Sequence, residues 1–293
     1  MKKGLILVNA YNTLNQSIHQ ANRLKEEFNK LDVFIDILKN DSFLAIINDN
    51  GYIKSKLNNY DFCIYLNKDK YISLMLEKNG LRLFNSHDAI VNCDDKMTTS
   101  IILANHNIPL PKTLPGLLCY NEDAKINIET ILHIEEELNY PLIMKHSYGS
   151  LGKGVFKINN REELINKMEE LKCKPHLFQE FISYSEGKDI RVITIGQKVV
   201  ASMLRKSSNG FRSNIALGGK GYIYNPPQDL INLCEKVSKI LNLDYGGIDI
   251  LIDKDNYKIC EVNSNAFFEG VEKVTGINVA KSYAEYIYKT IYK

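Results

Sequence analysis

The stretch GIDILIDKDNYKICEVNSN, residues 247–265, contains two strand-like runs on either side of the polar turn 253–256. Turn-forming residues between two apolar runs predict an antiparallel hairpin. Two acidic residues, Asp249 and Glu261, interrupt runs of Ile, Leu and Val that are otherwise typical of a protein core. Acidic side chains are costly in such surroundings unless they are paired, so the hairpin predicts a functional feature.

The register of this hairpin decides whether the two acids meet. A hairpin centred on Asp255 places Asp249 directly opposite Glu261 and Leu251 opposite Ile259. In this register the acids share one face, and a loop that is one residue longer or shorter would separate them.

The acidic face has the donor chemistry of a metal site. Because side chains alternate along a strand, Asn263 lies on the same face as the two acids. The other, apolar face carries Ile248, Ile250, Ile252, Cys260 and Val262. Two carboxylates and an amide oxygen suit Mg²⁺, which would also remove the repulsion between the acids. The alternative is that one acid is protonated or is paired with a Lys or Arg side chain.

A glycine-rich loop precedes this hairpin in the sequence PLIMKHSYGSLGKGVFKI, residues 141–158. Its loop, 149–154, joins two strands and contains Ser150, Gly152 and Gly154, so backbone N–H groups can approach phosphate oxygens. It does not match the Walker A pattern, and a mobile hairpin turn is the alternative interpretation. Lys145 stands in an apolar strand, where a lysine needs a partner, and a phosphate is a natural one.

Polar residues at predicted strand ends suggest a nucleotide groove. The stretch 179–191 contains Gln179, Glu180, Asp189 and Arg191 beside a polar connector. Glu180 could accept a hydrogen bond from an adenine amino group or from a ribose hydroxyl.

A basic loop follows at 205–221 and contains Arg205, Lys206, Arg212 and Asn214. The planar guanidinium of Arg212 suits a terminal phosphate. A solvated basic loop with no ligand is the alternative interpretation.

The remaining sequence predicts an α/β domain followed by an α+β region. In the first third, strands at 4–8, 33–38, 61–66 and 81–84 alternate with helical segments such as 14–30, which predicts a parallel sheet. No GxGxxG dinucleotide motif is present. Within 94–111 we predict a helix that is capped by Asp94 or Asp95 and ends before Pro109. Further helices are predicted at 126–139, 161–172, 228–242 and 278–291, and further strands at 141–145, 154–158, 176–182, 189–195, 198–206 and in the 248–262 pair.

Composition excludes several classes of protein. The 293 residues are 44% hydrophobic and 25% charged with a formal net charge of +2, which predicts no nucleic-acid partner. No apolar run approaches the ~20 residues that span a bilayer, and the short apolar run after Met1 is not typical of a signal peptide. The six cysteines form no CxxC pair, so we expect buried, reduced thiols, a cytoplasmic location and no zinc site.

Taken in order, these motifs resemble the ATP-grasp superfamily and, within it, the RimK-type amino-acid ligases. The resemblance runs from about Asn85 to the C-terminus. It is carried by NSHDAIVNCDDKMTT, IPLPKT, PLIMKHSYGSLGKGV, QEFI, GKDIRV, FRSN, GGIDIL and EVNSN. It implies an N-terminal α/β domain at 1–95, followed by a two-lobed α+β ATP-grasp fold with a central lobe at 96–185 and a C-terminal lobe at 186–293.

The resemblance also implies roles for individual residues. ATP would be bound by Lys96, Lys145, Ser150, Gly152, Gly154, Gln179, Glu180, Phe181, Ile182, Asp189, Arg212, Ser213 and Asn214. Lys96 and Lys145 would contact its phosphates, Glu180 and the Phe181 backbone the adenine, and Asp189 the ribose. Asp249, Glu261 and Asn263 would bind two Mg²⁺ ions, with Mn²⁺ as a substitute and Glu261 as the bridge. Arg205 and Arg212 would be catalytic, with Arg205 holding an acylphosphate or an acidic substrate.

The implied activity is an ATP-dependent carboxylate–amine ligase. A small-molecule or peptide carboxylate would be activated as an acylphosphate and joined to an amino acid, with release of ADP and phosphate. Formation of a small-molecule amide in a biosynthetic pathway is one alternative, and nucleotide binding without turnover is another. The sequence leaves the substrates, the number of units added and a homo-oligomeric state open.

One segment departs from the family pattern. RimK-type ligases typically follow Glu-x-Asn with Ser-Pro-Gly, whereas this chain has Ala266, Phe267 and Phe268 in that place. The departure puts glutamate as the incoming amine and a protein tail as its acceptor in doubt. The aromatic pair would either fill the core or line a pocket for a more apolar substrate.

Overall fold

The N-terminal part of the chain folds around a parallel sheet. The computed structural model describes residues 2–11, 15–150, 152–207, 210–213 and 218–292. The sheet contains β1 (Lys3–Val8), β2 (Phe34–Lys39), β5 (Phe62–Leu66) and β6 (Arg82–Phe84) in the order β2-β1-β5-β6. All of its strand pairs are parallel, as the strand–helix alternation predicts. The four carboxyl ends therefore lie along one edge.

Helices and one small hairpin complete this part. They are α1 (Asn15–Asn29), the antiparallel pair β3 (Ala45–Ile47) and β4 (Ile53–Ser55), α2 (Lys70–Lys78) and α3 (His87–Asp94). In α1, the side chains of Ala21, Leu24 and Phe28 recur at helical spacing and are buried. The predicted helix at 14–30 is thus confirmed over 15–29.

A second, antiparallel sheet follows with the order β7-β10-β8-β9. Its strands are β7 (Thr113–Pro115), β8 (Leu142–His146), β9 (Val155–Ile158) and β10 (His176–Glu180), and the helices in this region are α4 (Lys96–Leu103), α5 (Ile128–Glu137) and α6 (Arg161–Leu171). The Asp95 side chain accepts hydrogen bonds from the N–H groups of Met97 and Thr98, so Asp95 caps α4 as one of the two predicted caps. Leu164, Met168 and Leu171 of α6 are buried in this lobe.

The third sheet is also antiparallel and has the order β13-β12-β11-β14-β15. It consists of β11 (Lys188–Ile195), β12 (Lys198–Lys206), β13 (Lys220–Ile223), β14 (Tyr245–Asp253) and β15 (Asn256–Asn263), together with α7 (Gln228–Ile240), α8 (Glu269–Thr275) and α9 (Val279–Ile291). The predicted hairpin is the β14–β15 pair. The predicted helix at 278–291 is confirmed as α9, whose Ala280, Tyr283, Ala284 and Ile287 are buried and whose Ile291 is partly buried.

The first and third sheets share a hydrophobic cluster. Phe28 of α1 and Phe84 of β6 lie in the same buried cluster as Phe268 and Tyr283. Arg82 also forms an ion pair with Asp244, at 2.9 Å between Nη2 and Oδ2. The C-terminal helix therefore packs on the N-terminal part of the chain, while the predicted boundaries near residues 95 and 185 remain predictions.

The expectation of six buried thiols is half wrong. Cys63, Cys93 and Cys234 are buried, whereas Cys119, Cys173 and Cys260 are partly exposed, and all six are free thiols. Cys119 lies in an irregular segment, Cys173 lies in the turn after α6, and Cys260 lines a cavity, so none of the three is fully enclosed. No helix within the described ranges has both the length and the apolar composition needed to span a bilayer.

Candidate active site

The hairpin brings the two acids together, but by a different register from the predicted one. Asp249 lies opposite Glu261, and Asn263 lies opposite Gly247. A β-bulge follows Asp249, and beyond it Leu251 pairs with Lys258, so the predicted pairing of Leu251 with Ile259 is wrong. A two-residue turn shifts the register by one residue and the bulge shifts it back.

The bulge also exchanges two side chains between the faces of β15. Ile259 is buried in the core beside Ile248 and Val262, whereas Cys260 lines the cavity that contains Glu261. The prediction that Cys260 lies on the apolar face and Ile259 on the acidic face is therefore wrong. The reason is that the extra residue of a bulge interrupts the alternation of side chains.

Asp249 is buried between two arginines. Arg191 bonds both of its oxygens, with 2.7 Å between Nη2 and Oδ2, and Nη2 of Arg205 lies 3.0 Å from Oδ1. Burial alone would raise the pKa of Asp249, but the two guanidinium groups outweigh it and hold this pKa below its ordinary value. The alternative of an acid paired with arginine is thus realised at Asp249.

Arg205 extends this network to Asp189. Its Nε donates to Asp189 Oδ1 at 2.7 Å, and burial raises the pKa of Asp189 despite that pairing. Burial lowers the pKa of Arg205, but Asp249 and Asp189 together raise it above its ordinary value. Arg205 is buried and paired with two aspartates, so this placement favours a positioning role over direct contact with a substrate.

Glu261 is the more accessible of the two facing acids. It is partly exposed, and its Oε1 lies 3.4 Å from Nζ of Lys96. Lys96 Nζ also donates to the carbonyl of Gly149 at 2.9 Å, which ties α4 to the glycine-rich loop. The carboxylate, the ammonium and the loop therefore meet at one point, as the implied phosphate site requires.

The donor chemistry fits a hard divalent cation in part. Asp249 and Glu261 face each other from neighbouring strands, and Asn263 follows two residues along β15. Oxygen donors of this kind are what Mg²⁺ takes, usually with water and substrate oxygens completing its shell. Among the described residues, no group of three or more His, Cys, Asp and Glu side chains could hold a metal, so an ion here would depend on the amide and on substrate oxygens.

Lys145 is a buried cation with neutral partners. Its side chain comes from β8, and the residue is 7% exposed. Nζ donates to Oε1 of Gln179 at 2.6 Å and lies 3.5 Å from Sγ of Cys260. Its partners among the described residues carry no charge, so the buried ammonium lacks the anion that normally accompanies it.

The glycine-rich loop has the backbone conformations that its glycines predict. Gly152 and Gly154 have φ values of 72° and 74°, in the left-handed region that other residues rarely adopt. A Cβ on Gly154 would lie 2.2 Å from Cδ2 of His146. Nη1 of Arg212 donates to the carbonyl of Gly152 at 2.7 Å, so the basic loop contacts the glycine-rich loop across the cleft. Leu151 lies outside the described residues.

The predicted adenine residues lie at the end of β10. Oε1 of Glu180 accepts the N–H of Lys112 at 2.7 Å and also bonds Nζ of Lys258. The side chain of Glu180 is thus already engaged on one oxygen. Phe181 faces Lys157, whose Nζ lies 4.2 Å from the ring centroid.

These parts surround one cavity of about 110 Å³. Of the predicted site residues, the cavity is lined by Lys145, Gly152, Gln179, Glu180, Phe181, Ile182, Asp189, Arg212, Ser213, Asp249 and Glu261. Ile143, Val155 and Leu251 add apolar surface to it. Lys96 borders it through Glu261, and Arg205 lies behind Asp189 and Asp249. Ser150, Gly154 and Asn263 are not among its lining residues, and Asn214 lies outside the described residues.

Sequence reasoning did not find every residue of this site. It noted Arg191 as a polar strand end but not as the partner of Asp249, because the pairing of β11 with β14 is a long-range feature. It did not find Lys258 as a partner of Glu180, because this contact joins β15 to β10 of the other antiparallel sheet. It placed Cys260 on the apolar face and so did not find it as a cavity residue.

The chain is similar in sequence and in fold to known proteins. Residues 93–287 match the model of a family described as the RimK-like ATP-grasp domain. Human beta-citrylglutamate synthase B is 36% identical over 214 residues, which cover 72% of this chain and 54% of that protein. The alpha-aminoadipate–LysW ligase LysX of Saccharolobus solfataricus is 31% identical over 222 residues, or 73% of this chain and 77% of LysX.

The fold is shared with solved structures. The ATP-grasp ligase PsnB, complexed with a phosphomimetic variant of its minimal precursor, Mg and ADP, has a TM-score of 0.70 at 16% identity. The match covers 100% of this chain and 99% of PsnB. By contrast, the chain spans about half the length of several of the curated relatives that it matches.

Proposed function

The chain belongs to the RimK-like ATP-grasp family, and on that premise we propose that it is an ATP-dependent carboxylate–amine ligase. It joins a small-molecule or peptide carboxylate to an amino acid and releases ADP and phosphate. Relatives named as a beta-citrylglutamate synthase and an alpha-aminoadipate–LysW ligase support an amino acid as one partner.

The observation that carries the proposal is the buried ammonium of Lys145. It lies in the cavity together with Gly152 of the glycine-rich loop and the carboxylate of Glu261. A buried cation with neutral partners is stabilised by an anion. The phosphate groups of a triphosphate bound in the cavity would supply that anion to Lys145. The apolar surface of Ile143 and Leu251 suits the flat face of a nucleobase.

The reaction follows in two steps. A carboxylate oxygen of the substrate attacks the γ-phosphorus of ATP, the bond to the β-phosphate oxygen breaks, and ADP leaves. The amine nitrogen then attacks the acyl carbon, phosphate leaves with the electron pair of the acyl–oxygen bond, and the amine loses a proton. Lys145, Lys96 and Arg212 neutralise phosphate charge in both steps, so the protein contributes position and electrostatics without a nucleophile of its own.

A divalent cation belongs to this proposal. Asp249, Glu261 and Asn263 would hold Mg²⁺, which would screen the repulsion between the triphosphate and the attacking carboxylate. Two ions with Glu261 as the bridge, and Mn²⁺ as a substitute, are the finer form of the proposal. Arg191 and Arg205 keep Asp249 ionised but also bond its two oxygens, so a cation would have to share an oxygen with a guanidinium group.

One observation favours a second candidate function. Both oxygens of Asp249 are already bonded by arginine, an arrangement that also suits a protein that binds a nucleotide without turning it over. In that case Asp249 would stabilise the fold, and the cavity would bind ATP without catalysing a reaction with a second substrate.

The experiment measures ATP binding and ADP release with the intact protein. We expect Lys145→Met to weaken ATP binding by tenfold or more, because charge-assisted bonds to phosphate contribute about 1.5–3 kcal/mol. Lys198→Met is the matched control, since Lys198 is exposed, pairs with Glu235 and is not among the residues that line the cavity. An unchanged dissociation constant for Lys145→Met would remove Lys145 from the site.

Turnover separates the two candidate functions. The protein is incubated with ATP, Mg²⁺ and pooled amino acids together with pooled di- and tricarboxylates or peptides, and products are identified by mass spectrometry. ADP formation that depends on both a carboxylate and an amine supports the ligase. ATP binding without ADP formation across the whole panel supports the nucleotide-binding alternative.

A further inference from the structure

Two cysteines beside the second sheet lie next to each other on neighbouring segments. Cys119 belongs to the irregular segment that follows β7, and Cys173 lies in the turn directly after α6. They are far apart in sequence, and neither is among the residues that line the cavity of the candidate active site. Their proximity is therefore a feature of the fold that the proposed ligase does not use.

Backbone and side-chain hydrogen bonds hold the two segments together. The N–H of Cys119 donates to the carbonyl of Lys172 at 2.8 Å, so Cys119 lies beside the peptide unit that joins Lys172 to Cys173. Farther along the same segment, Nζ of Lys172 donates to the carbonyl of Ala124 at 2.6 Å. The backbone that carries Cys119 is thus fixed against the backbone that carries Cys173.

The two thiols also act on each other. The pKa of Cys173 is raised, first by burial and then by the Cys119 thiol, which acts through its charge and through a hydrogen bond. Glu169 raises the pKa of Lys172, and both thiols add to this effect. Interactions of this kind are short-ranged, so the two sulfurs and the ammonium of Lys172 form one cluster. Sγ of Cys119 also donates to the carbonyl of Asn121 at 3.0 Å, which orients the side chain.

Solvent reaches both thiols. Cys119 and Cys173 are each partly exposed. A cavity of about 260 Å³ opens beside Cys119, and Lys172, Met168 and Phe178 form other parts of its wall. Oxidation of a thiol requires that the oxidant can approach the sulfur, and a molecule as small as hydrogen peroxide fits in this space.

The other cysteines are either closed to solvent or in contact with a different group. Burial encloses three thiols and raises the pKa of each of them, namely Cys63, Cys93 and Cys234. Cys260 is partly exposed, but its Sγ lies 3.5 Å from Nζ of Lys145 in the candidate active site. Cys119 and Cys173 therefore combine exposure with a neighbouring thiol.

A metal ion does not fit the two thiols. Structural zinc takes four ligands, usually cysteines and histidines. Among the residues that the structure describes, no group of three or more His, Cys, Asp and Glu side chains could hold a metal ion. A bond between the two sulfurs needs no further ligand, and it removes the repulsion between two neighbouring thiolates.

We propose that Cys119 and Cys173 form a redox-active dithiol, which a peroxide oxidises to an intramolecular disulfide and a small dithiol reduces again. The disulfide fastens the segment after β7 to the turn after α6. Reversible disulfides of this kind serve redox sensing in proteins whose surroundings otherwise keep thiols reduced. This modification site goes beyond the proposed function and does not rest on it.

The chemistry takes two steps in each direction. One thiolate attacks an oxygen of hydrogen peroxide, the O–O bond breaks, and a sulfenic acid and water result. The second sulfur then attacks the sulfenic sulfur, the S–O bond breaks, and a second water leaves. The two sulfurs together lose two electrons, and these reduce the peroxide. Dithiothreitol reverses the reaction by two thiol–disulfide exchanges and is itself oxidised to a disulfide.

The first test counts thiols and maps the bond in the intact protein. The reduced protein is treated with one equivalent of hydrogen peroxide, unfolded with N-ethylmaleimide present, and analysed by peptide mass spectrometry without reductant. We expect the free thiols to fall from six to four, with Cys119 and Cys173 in linked peptides, and dithiothreitol to restore all six. Unchanged thiols, a bond between two chains, a bond between other cysteines, or a sulfinic acid in place of the bond would overturn the inference.

Variants identify the pair. Cys119→Ser and Cys173→Ser should each abolish the linked peptides, and the remaining thiol of the pair should stop at the sulfenic acid, which dimedone captures. Cys260→Ser is the matched control, because Cys260 is also partly exposed, and this variant should form the disulfide as the wild type does. Linked peptides that persist without Cys119 or without Cys173, or that disappear in Cys260→Ser, would refute the assignment.

Thermal unfolding tests whether the native fold holds the thiols at bonding distance. A disulfide that fits the native geometry restricts the unfolded chain and stabilises the protein, whereas a strained one does not. We expect the oxidised protein to have a Tm about 4 °C or more above that of the reduced protein, and Cys119→Ser to lose this difference. An equal or lower Tm after oxidation would contradict the inference.

These measurements need neither ATP nor turnover, so they separate the dithiol from the proposed function. A disulfide in a protein that releases no ADP with any substrate would leave the dithiol standing and overturn the ligase. Substrate-dependent ADP release from a protein that forms no disulfide would do the reverse.

Discussion

Asp249 and Glu261 face each other on the adjacent strands β14 and β15, yet their surroundings favour different roles. Asp249 is buried and bonded by Arg191 and Arg205, whereas Glu261 is partly exposed beside Lys96. A buried carboxylate between two arginines supports the local structure, and an accessible one is available for a ligand. Replacing each carboxylate with its neutral amide should therefore have different effects at Asp249 and at Glu261.

Asp249→Asn should destabilise the fold. The change leaves two buried guanidinium groups without their full countercharge, which costs about 3–5 kcal/mol. Urea denaturation measures this loss. Asp253→Asn at the end of the same strand is the control, and it should cost about 1 kcal/mol or less because its pairing with Lys258 is partly exposed. Equal stability of the two variants would show that the arginine network adds nothing.

Glu261→Gln should abolish turnover and leave the fold intact. Its carboxylate is partly exposed and its ion pair with Lys96 is 3.4 Å long, so loss of the charge costs about 1 kcal/mol or less. ADP release and urea denaturation of the same preparation check both parts. Near-normal turnover in this variant would argue against any role of Glu261 in binding a cation or phosphate.

At the scale of elements, α1 and α9 hold the two ends of the chain together through Glu27. This residue is 3% exposed and accepts hydrogen bonds from Arg23, Lys30 and Asn278. Burial alone would raise the pKa of the Glu27 carboxyl, but the bonds from Asn278, Lys30 and Arg23 lower it below its ordinary value of 4.5. The carboxylate therefore contributes stability above pH 4.5 that is lost as the pH falls through the lowered pKa.

Glu27→Gln should destabilise the protein by about 1–3 kcal/mol at neutral pH. The difference from the wild type should shrink as the pH falls below 4.5, because the wild-type carboxylate then becomes protonated. Urea denaturation at a series of pH values measures this difference. A difference that stays constant from pH 7 to below the ordinary pKa would show that the charge of Glu27 is not its source of stability.

Some secondary-structure elements and turns were predictable from the sequence, and others were not. The hairpin, the glycine-rich loop and the capped helix after Asp95 were predictable because turn residues, glycines and caps act over a few residues. The bulge after Asp249 was not, since it depends on how Ile259 packs in the core. The helix α8 and the small β3–β4 pair were missed for a similar reason, because both are short and lack strong periodicity.

At the scale of the whole molecule, the candidate site exists only because two sheets meet. Lys145 and Glu180 come from the second sheet, and Asp189, Asp249 and Glu261 come from the third. Most of the residues that the family resemblance implies for this site line one cavity, while their roles remain predictions. The pairing of Arg191 with Asp249 was not predictable, because it follows from β11 lying beside β14, strands that are separated by about fifty residues of sequence.

The packing between the first and third sheets accounts for part of the segment 266–268, which departs from the family pattern. Phe268 is fully buried beside Tyr245 in the cluster that joins the first and third sheets, and Ala266 lies against Gly247. Phe268 therefore fills the core, which was one of the two expected roles of the aromatic pair. Phe267 is partly exposed, so the other role remains a prediction for that residue.

The most direct test of the central claim is a crystal structure of the protein with a non-hydrolysable ATP analogue and Mn²⁺, whose anomalous signal marks the ion. We predict phosphate oxygens within hydrogen-bonding distance of Nζ of Lys145, and an anomalous peak bound by Glu261 and Asp249. A nucleotide bound elsewhere, or bound in the cavity with both oxygens of Asp249 still held by arginine and no ion beside Glu261, would contradict the account.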